Sequence, residues 1–180
     1  MQTLRRPLTA GELAMARSVF RDAIDYARVQ VVRGSFLPFD LQDRNTAMTP
    51  RGSIYFMPAQ YRIDFSREDA GGKLFFIHEM VHVWQWQLGY NCMWHGLLLA
   101  LFGGYFGRRA YRYDATDPAR PLSRYNMEQQ AELISHYFGA TQLGVASCVA
   151  RLPFLRGALD GFLRSPGDAA LLPKWFKASL

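Results

Sequence analysis

The 180-residue chain reads as an α+β protein in which a small sheet packs on one central, buried helix. Three observations predict this class. Short β-branched runs gather in the first third of the chain, and the stretch Phe75 to Gln87 is helical in spacing yet apolar nearly all round. Further helical segments follow it, the segregated order of an α+β fold. Hydrophobic residues make up 49% of the sequence and aromatic residues 14%. That suffices for a sizeable core in a single domain spanning residues 1–180, and it excludes a largely disordered protein.

Thr9-Ala10-Gly11-Glu12 reads as a capping box, and Leu13, Ala16, Phe20, Ala23 and Ile24 then recur at helical spacing. The pattern predicts a helix from Thr9 to Tyr26. Val29 to Val32 is a β-branched strand closed by Gly34. Ser35 to Arg51, punctuated by Pro38 and Pro50, reads as irregular. Ile54-Tyr55-Phe56 is a second strand, stopped by Pro58, and the alternating run Tyr61 to Phe65 is a candidate third. Ser66 offers an N-cap with Glu68 and Asp69 in the first turn, where acids favour the helix dipole. The central helix starts there, runs to Gln87 and stops at Gly89. Asn91 to Arg124 is the least regular part, expected to border a functional cleft as a lid. Within it, Leu97 to Phe106 reads either as a core helix or as an interfacial patch in contact with membrane lipid. Asn126 caps a further helix through Phe138. From Gly144 onward, short helical pieces are broken by Pro153, Pro166 and Pro173.

Lys and Arg number 21 against 15 Asp and Glu, and 18 of the cations are Arg. They are scattered, apart from Arg5-Arg6 and the group Arg108, Arg109 and Arg112, and accompany no nucleic-acid motif, so no nucleic acid is expected as a partner. Cys92 and Cys148 form no C-x-x-C pair and are expected as buried thiols, with a bridge open in an oxidising compartment. Met1 to Pro7 lacks the apolar run of a secretory signal, which predicts a protein made in the cytoplasm and not exported by that route. The apolar tract Leu97 to Phe102 is too short to span a bilayer.

The chemistry is concentrated in His78-Glu79-x-x-His82. Residues four apart share a helix face, so both imidazoles can reach one metal ion, while Glu79 stands beside them as a base without being a ligand. With 4 His and 5 Glu in the chain, a chance match has odds of roughly 0.2 per cent. Such groups are costly inside an apolar helix unless paired or metal-bound, which points to one zinc ion per chain. A catalytic zinc site needs a third protein ligand, and His95, His136, Cys92, Cys148, Glu128 and Glu132 are candidates. Glu128 and Glu132 lie four apart on one face of a predicted helix. Glu128 is assigned to the metal and Glu132 to an imidazole N–H of His78, with the reverse assignment open.

His78-Glu79-x-x-His82 followed by Glu128-x-x-x-Glu132 resembles the gluzincin arrangement of zinc metallopeptidases. More closely, Leu8-Thr9-x-Gly11-Glu12, Met48-Thr49-Pro50-x-Gly52-x-Ile54-Tyr55-Phe56, Phe76 to Gln85, and Glu128-Gln129-Gln130-Ala131-Glu132 resemble the Vgr-related metallopeptidase domains. Those domains occur alone or at the C-terminus of type VI secretion spike proteins. The resemblance covers Leu8 to Phe138. It implies a zincin-like fold, with a small sheet over two helices that hold the metal. It also implies an antibacterial effector that hydrolyses peptide bonds in the periplasm of a target cell, where a Cys92–Cys148 disulfide becomes possible. A peptide or protein substrate, a spike protein and an immunity protein are the partners implied. Gluzincins generally carry Asp where this chain has Glu132. Glu79 is then the general base. The oxyanion donor is open among Tyr105, Tyr111, Tyr113, Arg124, Tyr125 and His136. The resemblance further implies that the strand at Ile54-Tyr55-Phe56 offers its edge to an extended peptide. Two other readings stand beside this one: a processing peptidase with one intracellular partner, and a non-catalytic, zinc-stabilised docking domain. An intact Glu79 argues against the last.

Overall fold

The structure is a computed structural model and describes residues 4–37 and 47–174. Pro38 and the middle of the expected irregular segment lie outside the described residues, as do residues 1–3 and 175–180. Among the described residues the architecture is mixed α+β, mostly helical, with one four-stranded sheet. The strands are β1 (Leu4–Arg6), β2 (Val31–Arg33), β3 (Ala47–Met48) and β4 (Ile54–Phe56), in the order β1-β2-β4-β3. β2 and β4 run parallel with Val31 opposite Ile54, and β1 and β3 pair antiparallel on either side. The strand expected at Ile54 to Phe56 therefore lies inside the sheet. Its edge is already taken by β3, so peptide addition at Ile54 to Phe56 is ruled out.

Helix α1 (Ala10–Phe20) starts with the capping box expected of Thr9 and Glu12. It stops at Phe20 rather than Tyr26 because the next backbone groups are used elsewhere. Arg21 adopts a positive φ of 52°, Tyr26 Oη donates to the Arg21 carbonyl, and the Asp25 amide is exchanged with the Gln87 side chain. The Tyr61 to Phe65 run forms no strand. Arg62 donates to the carbonyls of Ala59 and Tyr61, Arg6 donates to that of Arg62, and Asp64 accepts from Ser66 and Thr9. Side chains thus take the Tyr61 and Arg62 carbonyls that a ladder would need.

The central helix is α2 (Ala70–Gln87), with ten consecutive buried residues from Phe76 to Gln85. Its N-cap is Asp69, which accepts from the Gly72 amide, and not Ser66, which lies in a preceding 3-10 turn. Leu88 closes the helix before Gly89 at φ 101°. α2 packs chiefly against α4 (Met127–Gln142), which carries an Asn126–Gln129 capping box. Between them runs α3 (Cys92–Leu101), N-capped by Asn91, so this connection is more regular than expected. α5 (Ala146–Val149), α6 (Leu152–Ala158) and α7 (Asp160–Arg164) are the remaining α-helices among the described residues. Pro153 does not break α6; it occupies the first turn, where proline is tolerated. The Trp84 indole of α2 donates to the Pro166 carbonyl at 2.6 Å and meets Phe162 edge to face, tying the tail to the core.

The start of α1 is fastened to the sheet by a buried carboxylate. Glu12 is fully buried and accepts from both terminal nitrogens of Arg6 at 2.7 and 2.8 Å, and from the amides of Thr9 and Phe65 at 2.9 Å. Gly11 beside it approaches Ser66 so closely that a Cβ there would collide. Removing the cation leaves a buried charge half-solvated. Arg6→Ala is expected to destabilise by about 3–5 kcal/mol in denaturant titration. Adding Glu12→Gln should recover part of this, because the uncompensated charge is gone. A loss below about 1 kcal/mol would show that the pair behaves as a surface ion pair.

Candidate metal centre

α2 presents His78 and His82 one turn apart, with ring centroids 5.1 Å from each other. Opposite them, the capping box at Asn126 starts α4 so that Glu128 falls in its first turn, facing α2. Glu128 Oε2 lies 3.2 Å from His78 Nε2 and 3.3 Å from His82 Nε2. Among the described residues, the donor atoms of His78, His82 and Glu128 form one cluster within 4.8 Å of each other, and all three residues are buried. Two imidazole nitrogens and one carboxylate oxygen make a donor set suited to zinc.

The tautomer of His82 follows from its neighbours. Gln85 Nε2 donates to the Met127 carbonyl at 3.1 Å and to Gln130 Oε1 at 3.0 Å. Its oxygen therefore faces His82 Nδ1, at 2.9 Å, and accepts from it. With Nδ1 occupied by Gln85, Nε2 is the atom turned toward Glu128: it can donate to the carboxylate when protonated and becomes the ligand atom once a metal displaces that proton. Gln130 in turn donates to the Leu122 and Leu171 carbonyls, so the brace extends from α2 through α4 to the tail.

A second line of groups lies behind His78. Glu132 Oε1 stands 3.5 Å from His78 Nδ1, at the limit of a hydrogen bond. Its other oxygen is 3.2 Å from His136 Nε2, and His136 Nδ1 meets Tyr113 Oη at 2.8 Å. Arg108 approaches Glu132 to 3.9 Å. Glu79 is buried next to the cluster, and one of its oxygens accepts from Thr49 Oγ1 at 2.8 Å. This bond fixes the rotamer of the carboxylate from the end of β3.

Burial would raise the Glu128 carboxyl, but His82 and His78 outweigh it and hold the group well below the usual carboxylate range. For His82, burial favours the neutral ring, yet the Glu128 carboxylate raises its pKa well above the ordinary histidine value. Without metal, the cluster is thus a buried ion pair. Tyr105 donates to Glu128 Oε1 at 2.9 Å, and the Tyr111 ring lies 5.9 Å from that of His78. Burial first, and then Glu128, push both phenols upward, which keeps them as O–H donors.

Among the six candidate donors, Tyr105 and Tyr111 are therefore brought to the cluster. Tyr113 and His136 stand behind Glu132, and Tyr125 lies in the main core under Arg120. Of the other candidate ligands, His95 stacks on Tyr90, with ring centroids 4.1 Å apart. Cys92 contacts the His82 carbonyl, and Cys148 packs near Gly139. Both cysteines are buried and free, so the Cys92–Cys148 bridge is not formed. Thr49, Gln85 and Gln130 stand in the sequence only within the motifs that carry the resemblance, with no role attached to them. Only Gln85 carried a local signal, three residues after His82 on the same helix face.

Fold and site define a mixed α+β domain with a candidate metal centre built between two helices. No protein-family model matches the chain. The type VI secretion system spike protein VgrG2b of Pseudomonas aeruginosa is 35% identical over 167 residues, a match covering 87% of this chain and 15% of that protein. The chain thus spans only a small part of that relative's length. The solved effector domain of Pseudomonas aeruginosa VgrG2b matches with a TM-score of 0.68 and 35% identity, covering 83% of each chain. The chain belongs to the family of the VgrG2b effector domain.

Proposed function

We propose that the chain is a zincin-type zinc metallopeptidase domain, residues 1–180, acting as a type VI secretion effector. The observation that carries this reading is the buried His78, His82 and Glu128 cluster with the Glu79 carboxylate positioned beside it. His78, His82 and Glu128 would hold the zinc, and Glu132 would orient His78. Bound there, zinc would supply Lewis acidity toward a substrate carbonyl and make water easier to deprotonate. Glu79, held by Thr49, takes the proton of the attacking water and returns it to the leaving amine. The phenols of Tyr105 and Tyr111 are the nearest O–H donors for charge developing on the carbonyl oxygen. β3, the edge strand leading to Thr49, is where an extended peptide would reach Glu79. A docking scaffold would have no use for a base held in this way.

The relatives' names support delivery by the secretion spike; a spike protein and an immunity protein as partners, and the recipient periplasm as the place of action, are part of the same proposal. Expression with a fused export signal is expected to be toxic, whereas the unexported chain is tolerated at equal protein level. Toxicity should disappear in His78→Ala. If the unexported chain kills equally well, the target is cytoplasmic. If exported His78→Ala still kills, the harm is not hydrolytic.

A further inference from the structure

Of the ten large hydrophobic side chains exposed among the described residues, seven lie between Met93 and Phe106. Met93, Trp94, Leu97 and Leu101 follow helical spacing on one face of α3, and Phe102 and Phe106 continue that face through the next turn. Leu101 is 72% exposed and Phe106 78%. The core-helix reading of Leu97 to Phe106 is thereby overturned. α3 is anchored on its other side, where Cys92 and Leu99 join a small cluster with Tyr90, Ala110 and Met127. An apolar face of this extent, left to water, marks an interaction surface.

Charge selects the occupant. From Met80 to Tyr113 the sequence holds no Asp or Glu, while Arg108, Arg109 and Arg112 are exposed just beyond the apolar face. Exposed Trp, Leu and Phe side chains on one helix, bordered by arginine, are what a bilayer interface accepts: rings and aliphatic groups below the headgroups, guanidinium groups at the phosphates. With ten residues α3 cannot cross a membrane, and none of the described helices is long and apolar enough to do so. We infer that α3 and the turn to Phe106 form a docking face that lies in the surface of an anionic bilayer. Tyr105, between Phe102 and Phe106, donates to Glu128, so the docking face continues directly into the wall of the metal centre. Bilayer docking does not depend on hydrolysis and should be unchanged in Glu79→Gln.

The test is co-sedimentation of the full chain with vesicles of phosphatidylglycerol mixed into phosphatidylcholine, against phosphatidylcholine alone. Binding to the anionic vesicles is expected to be about tenfold stronger or more, and to weaken with added salt. Leu101→Ser combined with Phe106→Ser should lose at least about tenfold of that binding with an unchanged thermal melt. Arg109→Glu, a change at an exposed side chain, should lose severalfold on anionic vesicles alone, which keeps the test decisive if the double variant folds poorly. Absence of wild-type binding, equal binding to both vesicle types, or retained binding by Arg109→Glu would overturn the inference. So would a dimer in light scattering that the double variant dissociates while the wild type ignores vesicles, since the face would then join two copies.

Discussion

Glu79→Gln is expected to lower kcat/KM for peptide hydrolysis by about 10²–10⁴-fold while the fold and the metal content stay as in the wild type. The substitution keeps the shape of the side chain and its acceptor for Thr49 Oγ1, which now lies 2.8 Å from the carboxylate. What it removes is the ability to take a proton. A tenfold change corresponds to about 1.36 kcal/mol, so the loss amounts to about 3–5 kcal/mol of transition-state stabilisation. The substrates for this assay are best found by proteomic identification of cleavage products in a target-cell lysate. Hydrolysis at the wild-type rate would remove Glu79 from the mechanism. Stoichiometric loss of zinc would instead make Glu79 a ligand.

Glu128→Ala should weaken zinc binding by more than about 100-fold, whereas Glu132→Ala should cost about 10–100-fold, the range for a residue that orients a ligand. Competition with a chromophoric chelator measures both. Their order decides between the two assignments of this pair, because a larger loss at Glu132 would exchange the roles. Glu128 should also govern the pH dependence of loading. The carboxylate raises the pKa of His82 well above its ordinary value against the effect of burial, which favours the protonated ring in the metal-free centre. Metal must displace that proton, and affinity should rise with pH up to the raised value. In Glu128→Ala the main influence opposing burial is gone, leaving only Cys92 and Glu79 on that side, and this part of the pH slope should shrink. An unchanged slope would place the displaced proton elsewhere.

The same features separate what is local from what is not. His78 and His82 share a face because four residues make about one helical turn, and Glu128 and Glu132 share one for the same reason. The capping boxes at Thr9 and Asn126 are likewise short-range patterns, and both occur where the sequence places them. The end of α1 was not legible, since it depends on Gln87 claiming the backbone of Asp25, 62 residues away. Tyr61 to Phe65 alternates like a strand, but the side chains of Arg62, Arg6 and Glu12 take the Tyr61 and Arg62 carbonyls and the Phe65 amide.

By itself, the sequence determined the α+β class, the buried central helix and the two pairs of side chains that helical periodicity sets on facing surfaces. Tertiary structure alone decided which groups complete the centre. Thr49 meets Glu79 across 30 residues, Tyr105 meets Glu128 across 23, and the Gln85–Gln130 brace spans 45. Periodicity carries no information about contacts at such separations, because they follow from how loops and helices are laid against one another. It likewise cannot tell an apolar helix that is buried from one that faces outward. Phe76 to Gln85 and Met93 to Phe106 are both rich in apolar residues, and only the packing of α4 against α2 buries the first and leaves the second exposed.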